Sequence, residues 1–228
     1  MRRTGGSHEI PSVRGPSGSV GALLRVRPTI GRQHTPPRRA SGRRRSAAYL
    51  TYPPTVPDHA LELSFEPVSA AAVVAQWDAL KAAGLPSQAD HRSMTNAPHV
   101  TLAAAVGIDD AAVRAAREAV GPLLPARIGL RGLVLFGQGA RVTVAHLVEP
   151  DATLAEAVAR IRALVPTLRH PVWTPHVTLA RRVPRRVVPE VLAVLQDTDG
   201  PRELVCDRLR WWDPDLDLIE DVAVAGHG

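Results

Sequence analysis

Cysteine is nearly absent from this chain: Cys206 is the only one in 228 residues. That excludes an intrachain disulfide framework and any zinc or iron–sulfur site built on several thiolates. Aromatic residues make up only 4% of the sequence, so the core has to be assembled largely from Val, Leu and Ala. No stretch of about 18 uninterrupted apolar residues occurs, which leaves no membrane-spanning helix and no reason to expect a membrane partner. The first 57 residues almost lack acids: they hold 11 Arg against the single Glu9, a net charge of +10. Residues 58–228 hold 17 Lys and Arg against 21 Asp and Glu, a net of −4. The overall +6 therefore belongs to the leading segment and not to the body.

Residues 1–57 are crowded with Gly, Pro, Ser and Arg and follow neither a helical nor a strand period. A segment of that composition buries too little apolar surface to offset its chain entropy, so a disordered basic tail is expected. Three uses fit it: an arm contacting nucleic-acid phosphates, a targeting segment, or a solvated extension translated from a start codon upstream of the domain. The last is the reading adopted, because basic low-complexity leaders seldom carry the chemistry of a compact domain.

From residue 58 the pattern becomes regular. Ala60–Glu66 alternates as a strand with one buried face. Residues 68–83 place Val73, Val74, Trp77 and Leu80 at helical spacing and stop at Gly84, with Pro86 beyond. A polar loop through Asn96 leads to a strand starting near Pro98, a helix over 109–120, and a strand over 127–136. The same order then recurs: a strand over 141–148, a helix over 153–165, a strand from Pro175, a helix over 187–196 and a strand over 203–212. The hexapeptide PHVTLA occurs twice, at Pro98 and Pro175, 77 residues apart, and Pro125 and Pro201 precede matching strands at an offset of 76. The body, 58–228, thus reads as an α+β duplication. Two pseudo-symmetric β-α-β-α-β lobes, roughly 58–136 and 141–225, enclose a central cleft.

In a strand, residues i and i+2 share a face. His99 and Thr101 project together, as do His176 and Thr178, while Val100, Leu102, Val177 and Leu179 turn to the core. If the two faces oppose each other, one cleft holds two imidazoles and two hydroxyls. Two imidazoles can serve as general base and general acid on opposite sides of a phosphorus, because their titration lies near neutrality. Threonine hydroxyls can hold the non-bridging oxygens between them. No metal is required, and no cofactor is expected.

Two H-x-[ST] motifs about 80 residues apart, each on a strand after a helix, resemble those of the 2H phosphoesterase superfamily. The second, HVTLAR from His176 to Arg181, is most similar to the 2′-5′ RNA ligase / cyclic phosphodiesterase branch. The resemblance covers roughly residues 58–225. It implies a bilobal 2H phosphoesterase-like fold and a metal-independent site with His99 and His176 as the catalytic pair. Thr101 and Thr178 would bind phosphate. The reaction it implies is opening of 2′,3′-cyclic phosphates to 2′-phosphates, or more weakly the joining of RNA ends through 2′-5′ bonds. The first motif departs from that branch, running into Ala103-Ala104-Ala105-Val106 instead of a bulkier aromatic-containing strand.

Other residues carry less. Arg181 and Arg182 could reach the cleft rim if the strand bends before Pro184; strict alternation turns Arg181 away. Phe136 and Trp212 end matching strands and could stack a base or plug the core, and the core is the reading adopted. His59, His91, His146 and His170 form no pair at metal-ligand spacing, and no metal site is expected. Asp213, Asp215 and Asp217 read as an acidic turn, Cys206 as a small buried residue, and Trp173 as packing. The expected protein is a cytoplasmic, monomeric enzyme whose partners are RNA ends or 2′,3′-cyclic nucleotides. The alternative is a two-lobed module that binds RNA ends or a phosphorylated ligand without turnover.

Overall fold

The computed structural model describes residues 58–91 and 96–226, so the expected basic tail lies outside the described residues. The elements are β1 (His59–Phe65), α1 (Pro67–Ala82), β2 (His99–Ala105), α2 (Asp110–Val120), β3 (Ala126–Phe136), β4 (Arg141–Glu149), α3 (Ala152–Leu164), β5 (His176–Pro184), α4 (Val188–Asp197), β6 (Glu203–Asp213) and β7 (Leu218–Val224). Local chemistry sets their starts. Asp109 and Asp151 cap α2 and α3 by accepting from the backbone N–H groups of Ala112 and Leu154. Pro67 and Pro189 sit in the first turns of α1 and α4, where a missing N–H costs nothing.

The strands form one antiparallel sheet in the order β2-β1-β6-β3-β4-β5, with β7 added to β6. The order is symmetric about the β6–β3 pairing, with β2-β1-β6 on one side matching β5-β4-β3 on the other. The two central strands pair only through their first residues, Ala126–Gly129 against Glu203–Cys206. Beyond that they diverge, β6 along β1 and β3 along β4, and the divergence makes the fold bilobal. The last strand of each repeat is thus exchanged into the opposite lobe. The sequence repeat shows the element order but not this exchange. The short connection 137–140 joins β3 to β4 as a hairpin, so the local partner of β3 belongs to the next repeat.

The helices cross over as well. α1 packs on α4 and touches β5; α2 packs on α3, and α3 touches β2. The core they cover contains Leu61, Leu63, Ile128, Leu204 and Leu209, with Val100, Leu102, Val177 and Leu179 of the two motif strands, all essentially inaccessible to solvent. β1 is buried on both faces except at Glu62, where one buried face was expected, because it is an inner strand with α1 packed on it. Cys206 is fully buried in β6, and burial pushes its thiol up to about 12.

β2 and β5 are the outer strands, and each open edge is covered by the other half. The Trp173 indole donates to the carbonyl of Thr101 (3.0 Å), Arg162 to that of Leu102 (2.8 Å), and the Arg169 backbone N–H to that of Ala104 (2.8 Å). On β5, the Trp77 indole of α1 donates to the carbonyl of Thr178 (3.0 Å).

Candidate active site

The two motif strands approach each other at the mouth of the sheet and line one cleft of about 530 Å³. His99, Thr101, His176 and Thr178 all face it, so the four residues singled out by the repeated motif share one space. That volume suits a nucleotide-sized ligand.

The two imidazoles are held in the same way. Nδ1 of His99 lies 2.8 Å from the carbonyl of Ala97, and Nδ1 of His176 lies 2.8 Å from the carbonyl of Thr174. A carbonyl only accepts, so each Nδ1 carries the proton and each Nε2 is left for other partners. Burial holds the His176 ring below the ordinary imidazole range. The Thr174 carbonyl works against that shift, and the nearby charge of His99 adds to it. The Nε2 of His99 stands 3.5 Å from Oε1 of Glu62 on β1, and Oε2 of Glu62 takes a hydrogen bond from Arg210 on β6 at 3.0 Å.

A β-bulge repeats in both halves just after the threonine. Leu61 pairs with Ala103 and Glu62 with Thr101; Val144 pairs with Ala180 and Ala145 with Thr178. Each motif strand therefore carries one extra residue at this point, which reverses the alternation beyond it. Arg181 lines the cleft for this reason, and so does its counterpart in the first half, Ala104. Strict alternation would have turned both away.

Of the four rim residues considered from the sequence, the structure brings Arg181 and Phe136 to the cleft. The Phe136 ring lies 4.5 Å from the His176 ring, centroid to centroid, at 49°, so it is a wall of the site and not the core plug expected. Arg182 and Trp212 are not among the lining residues. Arg182 takes a left-handed backbone (φ 56°), and its carbonyl receives the Arg141 guanidinium. Trp212 is half-buried within the sheet between Ala60 of β1 and Ile219 of β7, a strand with no counterpart in the other half.

The sequence reading missed several lining groups. His170, treated as background, lines the cleft, and burial with the neighbouring Arg169 lowers its proton affinity. Arg162 and Arg169 also line it, but both are engaged by the protein. Arg162 reaches the carbonyls of Leu102, His170 and Pro171, and Arg169 pairs with Asp58. His146 is buried on Gln76 (2.8 Å), and burial lowers its proton affinity. Asp215 and Asp217 lie in the turn between β6 and β7, and Asp213, the last residue of β6, accepts from the backbone N–H groups of Asp215 and Leu216 in it. Among the described residues, the only group of three close metal-ligating side chains is His59, Asp213 and Asp215, none of which lines the cleft. There His59 Nε2 meets Asp215 at 3.2 Å while the ring stacks on Trp211.

Residues 67–218 match the family model of the 2′-5′ RNA ligase superfamily. The chain belongs to that superfamily. Its architecture, one antiparallel sheet with four helices, is of the α+β class that the sequence led us to expect. Among solved structures it is similar to Kluyveromyces marxianus Usb1 at 10% identity, covering 73% of this chain and 98% of that one, with a TM-score of 0.46. It is similar to the same protein with uridine monophosphate at 11% identity, with the same coverage and a TM-score of 0.47. It is also similar to E. coli LigT complexed with 3′-AMP at 12% identity, covering 72% of this chain and 92% of that one, with a TM-score of 0.45. A search of curated proteins gives no match. No helix among the described residues is long and apolar enough to cross a membrane.

Proposed function

We propose that this protein is a phosphoesterase that opens 2′,3′-cyclic phosphates of RNA ends or nucleotides to 2′-phosphates. The observation that carries the reading is the convergence of two Nδ1-anchored histidines and two threonine hydroxyls, one of each per lobe, on a single cleft. In this scheme one imidazole takes a proton from water as its oxygen attacks phosphorus. The bond from phosphorus to the 3′-oxygen breaks, and the other imidazole protonates that oxygen. Thr101 and Thr178 donate to the non-bridging oxygens and fix phosphorus between the rings. With the 5′-hydroxyl of a second strand in place of water, the same proton movements form a 2′-5′ bond. Phe136 offers a face on which a base can stack, and Arg181 supplies positive charge in a body whose net charge is negative.

Both proton transfers are assigned to imidazole, so turnover is expected to continue with a chelator present. The test is incubation of the protein and EDTA with a panel of 2′,3′-cyclic nucleotides and RNAs bearing that end, with products read by phosphorus NMR. Accumulation of 2′-phosphates supports the reading. Absence of turnover across the panel favours the binding-module alternative.

A further inference from the structure

A second cluster of polar side chains lies outside the cleft, where the first residue of β1 meets the turn between β6 and β7. Its members are His59, Asp213 and Asp215. Sequence spacing hides the group, because His59 and Asp215 stand 156 residues apart. The β1–β6 pairing, which runs through Leu61 with Trp211 and Ala60 with Trp212, brings His59 beside Asp213. The imidazole and the Asp213 carboxylate are only 9% and 8% exposed. The Asp215 side chain is 70% exposed, so the group is buried at its base and opens to solvent through Asp215.

We propose that His59, Asp213 and Asp215 form a structural binding site for one divalent transition-metal ion of the zinc type. Nε2 of His59 lies 3.2 Å from Oδ2 of Asp215 and donates to it, which leaves a lone pair on Nδ1. Nδ1 is buried, has no hydrogen-bond partner, and faces Oδ1 of Asp213 at 3.8 Å. That span is too long for a hydrogen bond, so a second proton on the ring would find no acceptor within bonding distance there. An ion with bonds of about 2.0–2.2 Å to imidazole nitrogen and carboxylate oxygen fits it. A carboxylate on the opposite ring nitrogen, the place of Asp215, is the usual support of a metal-bound histidine. One ligand atom from each of the three residues lies within 4.8 Å of the other two, so Asp215 is also near enough to close on the ion. The Asp213 carboxylate is held in place, its Oδ1 accepting from the backbone N–H groups of Asp215 at 2.9 Å and Leu216 at 3.3 Å. Among the described residues, no Lys or Arg side chain lies within 4.0 Å of either carboxylate, so no protein cation offsets their charge. One imidazole with two carboxylates favours zinc and its neighbours over magnesium and calcium, which prefer oxygen throughout. Bound there, the ion ties the start of β1 to the end of β6 and to the turn into β7, the strand with no counterpart in the other half. The inference is independent of the phosphoesterase reading, since none of the three residues lines the cleft.

The test uses the full chain, stripped with EDTA and exchanged into chelator-free buffer, in four forms: unchanged, Asp215→Asn, His59→Gln, and the double variant His99→Ala/His176→Ala. The double variant removes the cleft imidazoles, the other place where zinc could settle. The probes are zinc, magnesium and calcium ions, read by titration calorimetry and by melting temperature. In the unchanged protein and in the double variant, free zinc about a hundredfold above its Kd is expected to raise the melting temperature by roughly 5 °C. Magnesium and calcium are expected to leave it where it was. Asp215→Asn is expected to weaken zinc binding about tenfold or more, and His59→Gln to abolish the rise. Because Asp215 is exposed, its variant keeps the proposal testable if His59→Gln does not fold. The proposal is overturned if zinc gives no rise in the unchanged protein. It is equally overturned if Asp215→Asn binds zinc as tightly as the unchanged protein, or if the rise disappears in the double variant alone. Turnover is not a readout, so the result stands whatever reaction the cleft performs.

Discussion

The indole of Trp173 donates a hydrogen bond to the main-chain carbonyl of Thr101, so the second half of the chain holds the motif strand of the first. Trp77 returns the tie to Thr178. Edge-strand carbonyls in a partly buried setting need such partners. Trp173→Phe keeps the ring and removes the donor, and is expected to cost about 1 kcal/mol of stability, read by urea unfolding. A larger fall in kcat than in global stability would reflect a loosened β2.

Phe136 is the second point of leverage. Its ring borders His176 across the cleft, and Phe136→Ala is expected to raise KM for 2′,3′-cyclic nucleotides about tenfold with a smaller change in kcat. Trp212→Phe, changing a residue outside the cleft lining, is expected to leave KM unaltered. Equal effects of the two changes would contradict the placement of the site wall.

Acid should weaken the fold through histidines that bind a proton less readily when folded. His146, His170 and His176 all bind a proton less readily folded than at the ordinary value of 6.5, chiefly because burial disfavours the charged ring. Below pH 6.5 the unfolded chain takes up protons that the folded chain resists, so stability present above that pH is lost as pH falls. The melting temperature is expected to drop by roughly a few degrees between pH 7 and 5. His146→Gln, with no titrating ring against Gln76, is expected to flatten part of that drop in calorimetry.

The cleft is built entirely from residues beyond position 87. Deleting residues 1–57 is accordingly expected to leave turnover of a cyclic nucleotide unchanged. Loss of turnover on deletion, or ligand binding that follows the basic segment and collapses with salt, would favour the binding module.

The sequence made the element order and the motif pair legible because both are local. Alternation marked the strands, helical spacing marked Val73, Trp77 and Leu80, and the repeat of PHVTLA placed His99 and His176 in equivalent positions. The exchange of β3 and β6 was not legible, since strand pairing is decided by the whole sheet. The bulges after Thr101 and Thr178 were hidden too, and with them the turn of Arg181 into the cleft, because an extra residue is defined only against a partner strand. Glu62 read as an ordinary polar position of an alternating strand. Only the register across β2, β1 and β6 reveals that it joins Arg210 to His99.

The most direct measurement is turnover of 2′,3′-cyclic nucleotides by the His99→Ala, His176→Ala double variant, with folding checked by circular dichroism. Each general acid or base contributes about 100-fold or more, so the folded variant should be inactive by several orders of magnitude, roughly the product of the two. A folded double variant with the turnover of the unchanged protein would contradict the two-histidine mechanism outright.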